Sequence, residues 1–166
     1  EQFLKAQAYR EKLAKPKPAG KGEPPERDLA MEALVEVLDG SRVVHHHTHR
    51  QDDIITVLRL QQEFGFRVVL HHVSEGWLVA PEIAAAKAPC SVIVIDSPGG
   101  KLEAARLSMA TGAILDRAGV LVGFHTDDGI TDSRLFLRSA ALAVRAGMSR
   151  DKALQAVTIA QLATSA

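Results

Sequence analysis

The chain has 166 residues, enough for one compact domain with a real core. Lys+Arg and Asp+Glu each number 20 and only 4% of residues are aromatic, which argues against a nucleic-acid or anionic-membrane surface. The 46% hydrophobic content contains no apolar run near the ~20 residues that span a bilayer, so the chain reads as globular, its core built from Ala, Val, Leu and Ile.

Glu1 to Ala14 reads as a charged amphipathic helix with Phe3, Leu4, Ala8 and Leu13 as its weak apolar side. Lys15 to Glu26 is rich in Pro, Gly and Lys and reads as a loop or flexible link. Arg27 to Asp39 resumes a helix, with Met31, Leu34, Val35 and Leu38 on one face and Gly40 as its cap. Residues 1–40 are therefore expected to form a helical segment, and residues 41–166 a second, regular unit. No signal peptide is in view, which leaves cytoplasmic and exported locations both open. Cys90, the single cysteine, forms no intrachain disulfide and is expected to be structural.

From Ser41 onward short β-branched runs alternate with helical stretches. The expected strands are 42–46, 66–72, 90–96 and 120–128. The expected helices are 52–64 (ended by Gly65), 76–87, 102–118, 132–146 and 149–163, with a tight turn at Pro98-Gly99-Gly100. The strands are continuous rather than alternating, which suits parallel strands buried on both faces. Four βα units follow the helical segment, whereas a closed barrel needs eight strands in about 250 residues. The expected fold is α/β: about four C-terminal βα units of a partial (β/α)8 TIM-type barrel, or else a small open sheet.

All seven histidines fall at the carboxyl ends of three expected strands: His45, His46, His47 and His49; His71 and His72; His125. Asp96 ends the third strand, and Asp127 and Asp128 follow His125. Ligand and catalytic groups of parallel βα folds collect at these ends, because the loops there converge on one mouth. His45 and His46, within the strand, read as hydrogen-bonded structural residues. His47, His72 and Asp127 together make a donor set suited to a divalent ion, with Zn²⁺ the first choice and one position left for water.

Four ordered segments, HTHRQDDI (47–54), VLHHVSEG (69–76), IDSPGGKLE (95–103) and HTDDGITDSR (125–134), resemble successive segments of the metal-dependent amidohydrolases. The branch with imidazolonepropionase-like and prolidase-like enzymes is the most similar. The resemblance implies that His47 is the ligand of barrel strand 5, His72 of strand 6 and Asp127 of strand 8, with His49 as the alternative to His47. It also implies hydrolysis of a non-peptide or cyclic C–N bond in a small-molecule substrate. Asp127 would take the proton of the attacking water and hand it to the leaving nitrogen, and His72 would hydrogen-bond the developing oxyanion. Arg50, Lys101 and Arg134 are candidates for holding an anionic substrate group.

The family's strand 1 H-x-H motif and strand 4 lysine have no counterpart upstream of Ser41. The chain is therefore expected to be inactive alone and to need the N-terminal half of the barrel or self-association, since a half-barrel exposes two sheet edges. Two other classes remain in view. One is a non-catalytic, self-associating half-barrel with structural or adventitious metal. The other is a metal-free α/β binding protein.

Overall fold

The computed structural model of the chain describes residues 1–15, 26–95 and 100–160. Its frame is one sheet of four parallel strands in sequential order: β1 (Val44–Thr48), β2 (Val68–His72), β3 (Cys90–Ile93) and β4 (Val122–His125). Parallel neighbours need a crossover between each pair. Helices α3 (Gln51–Phe64), α4 (Ala80–Ala85) and α5 (Thr111–Arg117) supply them. Helices α1 (Gln2–Ala14) and α2 (Leu29–Leu38) precede the sheet, and α6 (Phe136–Arg145) and α7 (Arg150–Ala156) follow it. Among the described residues β1 and β4 pair on one side only, so the sheet is open at both edges.

Because side chains alternate along a strand, the register sorts them into two faces. Leu70, Cys90, Val92, Val122 and Phe124 share one face, each at most 5% exposed, and join the core beneath the helices. His45, His47, His71, Ser91, Ile93 and His125 occupy the opposite face. The strand residues Val68–Leu70 and Cys90–Ile93 are buried throughout, as continuous β-branched runs imply. Cys90 is fully buried, and that burial pushes its thiol well above the ordinary range.

Several local expectations need correction. The helix expected at 102–118 is instead a 3-10 turn at Leu102–Ala104 and, after an irregular stretch, α5. Two side chains take backbone groups there: Trp77 Nε1 donates to the Arg106 carbonyl (3.1 Å), and Ser108 Oγ accepts from the Ala110 amide (3.2 Å). The helix expected at 76–87 is likewise a 3-10 turn at Gly76–Leu78 and then α4, which begins around Pro81, where a missing N–H is harmless. In α1, Phe3 and Ala6 turn inward rather than the whole expected stripe. Phe3 stacks on Phe64 and Phe66 (centroids 5.0 and 5.2 Å), while Leu4 and Leu13 stay 57% and 46% exposed. In α2 the most buried side chain is Val37, beside the expected face. Gly40 and Gly65 do end their helices at positive φ (76° and 74°). Most of the expected link at 15–26 and the end of the last expected helix lie outside the described residues, as do Asp96, Pro98 and Gly99. No described helix is long and apolar enough to cross a membrane.

Two glycines are required by close packing. A Cβ on Gly76 would meet Val73 Cγ1 at 2.4 Å, and one on Gly112 would meet the Phe124 ring at 2.9 Å. Val73 and Phe124 are both 0% exposed, so neither has room to withdraw. Gly76→Ala and Gly112→Ala should each destabilise the fold by about 1–3 kcal/mol, read as a lower urea midpoint at unchanged slope. An unchanged midpoint for either would contradict this packing.

Candidate metal centre

The centre begins with a reversal of the backbone at the end of β2. The Val73 amide donates to the Thr48 carbonyl (2.8 Å) and to the His71 carbonyl (2.9 Å). The second bond closes a three-residue turn about His72 at φ 68°, the rare and strained sign of γ-turn, and Val73 follows at φ 53°. By strict alternation His72 would stand with Leu70 on the helix-covered face. The turn instead carries its ring to the histidines of β1, where it stacks on His49 (centroids 4.7 Å, 14° between planes) and meets His47 edge-on at 4.5 Å.

His47, His49 and His72 each offer one ligand atom within 4.8 Å of the other two. The two β1 candidates thus belong to one cluster. His49 and His72 are buried, at 2% and 8% exposure, whereas His47 is exposed. Each buried ring is held from behind. His49 Nδ1 lies 2.7 Å from Ser74 Oγ, and His72 Nδ1 lies 3.1 Å from His125 Nε2, whose own Nδ1 is 2.9 Å from Ser91 Oγ. With the rings neutral, one of the assignments that satisfy these contacts has His49 donate to Ser74, His72 to His125, and His125 to Ser91. Nε2 of both His49 and His72 then presents a lone pair, which is how backing hydrogen bonds prepare imidazole ligands. His45 Nδ1 and His71 Nε2 form a separate pair at 2.8 Å.

The surroundings keep these rings neutral. His72 is pushed down to about 3, by burial first and then by the neighbouring imidazoles His125, His49, His47 and His71. His125 is pushed down to about 4 by burial and His71, against the opposing pull of Asp127. His71 is also lowered, by burial, then His45 and His47, with Asp127 again opposing.

The other residues singled out in the sequence take different places. Asp127 is exposed just beyond β4 at φ 49°, near enough to act on His71 and His125 but outside the three-histidine group. Arg50 binds Asp52 (2.9 and 3.1 Å), and Arg134 binds Asp132 (3.0 Å), both at the surface. Lys101 Nζ stands 3.5 Å from Glu103 Oε1.

Sequence reasoning passed over Ser74, Ser91, Glu75 and Glu103. Glu75, 5% exposed, accepts from the Gln51 amide (3.0 Å) and so fixes the start of α3 behind His49. Glu103 Oε1 lies 3.3 Å from His47 Nε2 and 3.8 Å from His49 Nε2. Burial pushes the Glu103 carboxyl up, but the hydrogen bond to His47 and the charges of His49, His47 and Lys101 outweigh it and leave the group below its usual range. Ser74 and Glu103 both sit inside the quoted segments, and that proximity was the available signal.

These shifts carry a consequence for stability. His71, His72 and His125 titrate lower in the folded chain than the ordinary ~6.5 of an unfolded one, so the unfolded chain takes up protons first. With a chelator present, stability should therefore fall as pH drops from about 6.5 towards about 3. The upper part of that window, above roughly pH 5, precedes most carboxylate titration and isolates the histidines. Urea midpoints should decline across it, and His125→Ala should flatten the decline. A flat wild-type profile there would contradict the burial of these rings.

No family model matches the chain, and no curated protein matches it. Among solved structures it is similar to the crystal structure of an amidohydrolase from Thermotoga maritima MSB8, with 33% sequence identity and a TM-score of 0.85. The likeness covers 96% of this chain and 41% of that one, so the chain spans about two fifths of its neighbour's length. Taken with the histidine cluster, the similarity supports the amidohydrolase superfamily.

Proposed function

We propose that this chain forms the histidine-bearing side of a metal-dependent amidohydrolase that hydrolyses a non-peptide or cyclic C–N bond, in the manner of the imidazolonepropionase-like and prolidase-like branch. One observation carries the reading: three imidazoles, from two adjacent strand ends, offer ligand atoms within 4.8 Å of one another. The donor set fits a borderline divalent ion such as Zn²⁺, since burial keeps His72 neutral and two of the rings are oriented from behind. His47, His49 and His72 would hold the ion, which when bound lowers the pKa of water and polarises a carbonyl.

The chain's own groups supply the rest. Asp127, exposed at the mouth, takes the proton of the attacking water and returns it to the leaving nitrogen. His72 is held in place from behind by His125 and, through it, Ser91. Lys101, 44% exposed and paired with Glu103, is a candidate to meet an anionic group of a small-molecule substrate, as are Arg50 and Arg134, paired with Asp52 and Asp132. The open edges of β1 and β4 call for further strands, either from a longer chain or from a second copy. Those edges also favour a second reading, a self-associating half-barrel that binds metal without turnover. Sedimentation would separate the two, since only a symmetric dimer carrying metal and lacking hydrolysis fits it.

The direct test is metal content of tag-free chain grown with added zinc, by inductively coupled plasma mass spectrometry. About one ion per chain is expected. His47→Ala, His49→Ala and His72→Ala should each lose it. Ser91→Ala, which touches only the backing of His72, should weaken binding roughly ten- to a hundredfold. A wild-type chain that takes up no metal would overturn the reading.

A further inference from the structure

We infer that Glu103 is a positioning residue for His47: its carboxylate holds the ring by Nε2 and leaves Nδ1 as the atom that binds the ion. The inference rests on the metal reading above and supports the one ring that reading leaves unsupported. His49 is held from behind by Ser74 and His72 by His125, each at Nδ1. His47 is the exposed member, with 52% of its side chain open to solvent, so packing alone does not fix the rotation of its ring. Its hydrogen-bond partner is Glu103, whose Oε1 lies 3.3 Å from His47 Nε2.

The chemistry of the pair fixes the direction of the bond. A carboxylate with the Lys101 ammonium at 3.5 Å is ionised near neutral pH, and an ionised carboxylate accepts hydrogen bonds but has none to give. The proton of the contact therefore sits on His47 Nε2. A ligand imidazole is neutral, so the lone pair is then on Nδ1. The approach of the same oxygen to His49 Nε2 is longer, at 3.8 Å. A carboxylate behind a ligating histidine fixes its tautomer and orientation and raises its basicity.

Glu103 is itself held in place. It sits in the 3-10 turn Leu102–Ala104, anchored by the buried Ala104, whose amide bonds to the Lys101 carbonyl (3.0 Å). Further along, Trp77 Nε1 bonds to the Arg106 carbonyl and ties this loop to the one after β2, which carries Ser74. The kinds of support also match the exposure of the rings. Buried His49 is served by a neutral hydroxyl, whereas exposed His47 must hold its partner against water and takes a charge-assisted bond.

Titration of the metal-free 166-residue chain with Co²⁺ tests this without any assay of turnover. Glu103→Ala should bind about tenfold more weakly than the wild type. Glu103→Gln is equally uncharged but keeps an oxygen that accepts from Nε2, so it should lose less; the pair separates support of the ring from loss of a nearby charge. Proton NMR of the cobalt-loaded chain reads the ring itself, because the N–H of a coordinated imidazole shifts far downfield and exchanges slowly when hydrogen-bonded. One such signal should be present in the wild type, Glu103→Gln and Ser91→Ala, and be lost to exchange with water in Glu103→Ala. Circular dichroism establishes that the metal-free variants are folded. If Glu103→Ala matches the wild type or Glu103→Gln in affinity, or keeps every exchangeable ring signal, Glu103 does not position His47 and the three-histidine reading stands. If the wild type itself takes up no cobalt, the metal reading fails and this role with it.

Discussion

The backbone reversal at His72 and Val73 is the constraint on which the rest of the centre depends. Non-glycine residues at positive φ cost of order 1–3 kcal/mol each, and a β-branched valine is among the least tolerant. Compensation of the same order is visible locally. Val73 is completely buried, and burial of a valine side chain contributes about 1.5–3 kcal/mol. Its amide is doubly engaged by Thr48 and His71, and Gly76 leaves open the space that Val73 Cγ1 occupies. The strain is therefore stored against a packed wall, and what it secures is the position of one imidazole. Without the reversal His72 would lie among Leu70, Val92 and Phe124.

Crowding of the histidines is the second organising effect. Rings at 4.5–4.8 Å, mostly edge to face, cannot all be protonated, because each charge would face others across a partly buried space. The fold resolves this by holding His71, His72 and His125 neutral and setting carboxylates around the cluster: Glu103 over His47 and His49, and Asp127 towards His71 and His125. Neutral imidazoles ringed by carboxylates attract a cation and need lose few protons to bind it.

How much of this was legible in the sequence follows from which interactions are local. Strand existence and order were readable from β-branched runs separated by helices, and four parallel strands in that order are present. The histidines' place at the strand ends was readable for the same reason. Strict alternation also placed His47 and His49 on one side, and both join the cluster. Alternation could not place His72, whose ring is turned by two backbone angles that no residue type in VLHHVSEG announces. Nor could it pair Ser91 with His125 or Glu103 with His47, contacts spanning 34 and 56 positions of chain. The broken helix at 102–118 belongs with these, since Trp77 reaches 29 positions along the chain to bond Arg106. Patterns of period 2 and 3.6 report the element a residue is in. They do not report the tertiary bond that interrupts it.

The distribution of the centre over the sheet decides how it can be lost. β1 contributes His47 and, just past its end, His49; β2 contributes His72; β3 contributes Ser91 and the loop bearing Glu103; β4 contributes His125 and, beyond it, Asp127. No strand holds two buried ligands, so none can bind an ion tightly while its neighbours are displaced. The strands are joined by continuous parallel pairing from β1 to β4, and the register fixes the height of each ligand relative to the next. Slipping a strand by one residue would send its ligands to the opposite face. An ion held here therefore stabilises the correct register of the whole sheet over every alternative, including the edge pairings that an open four-stranded sheet invites.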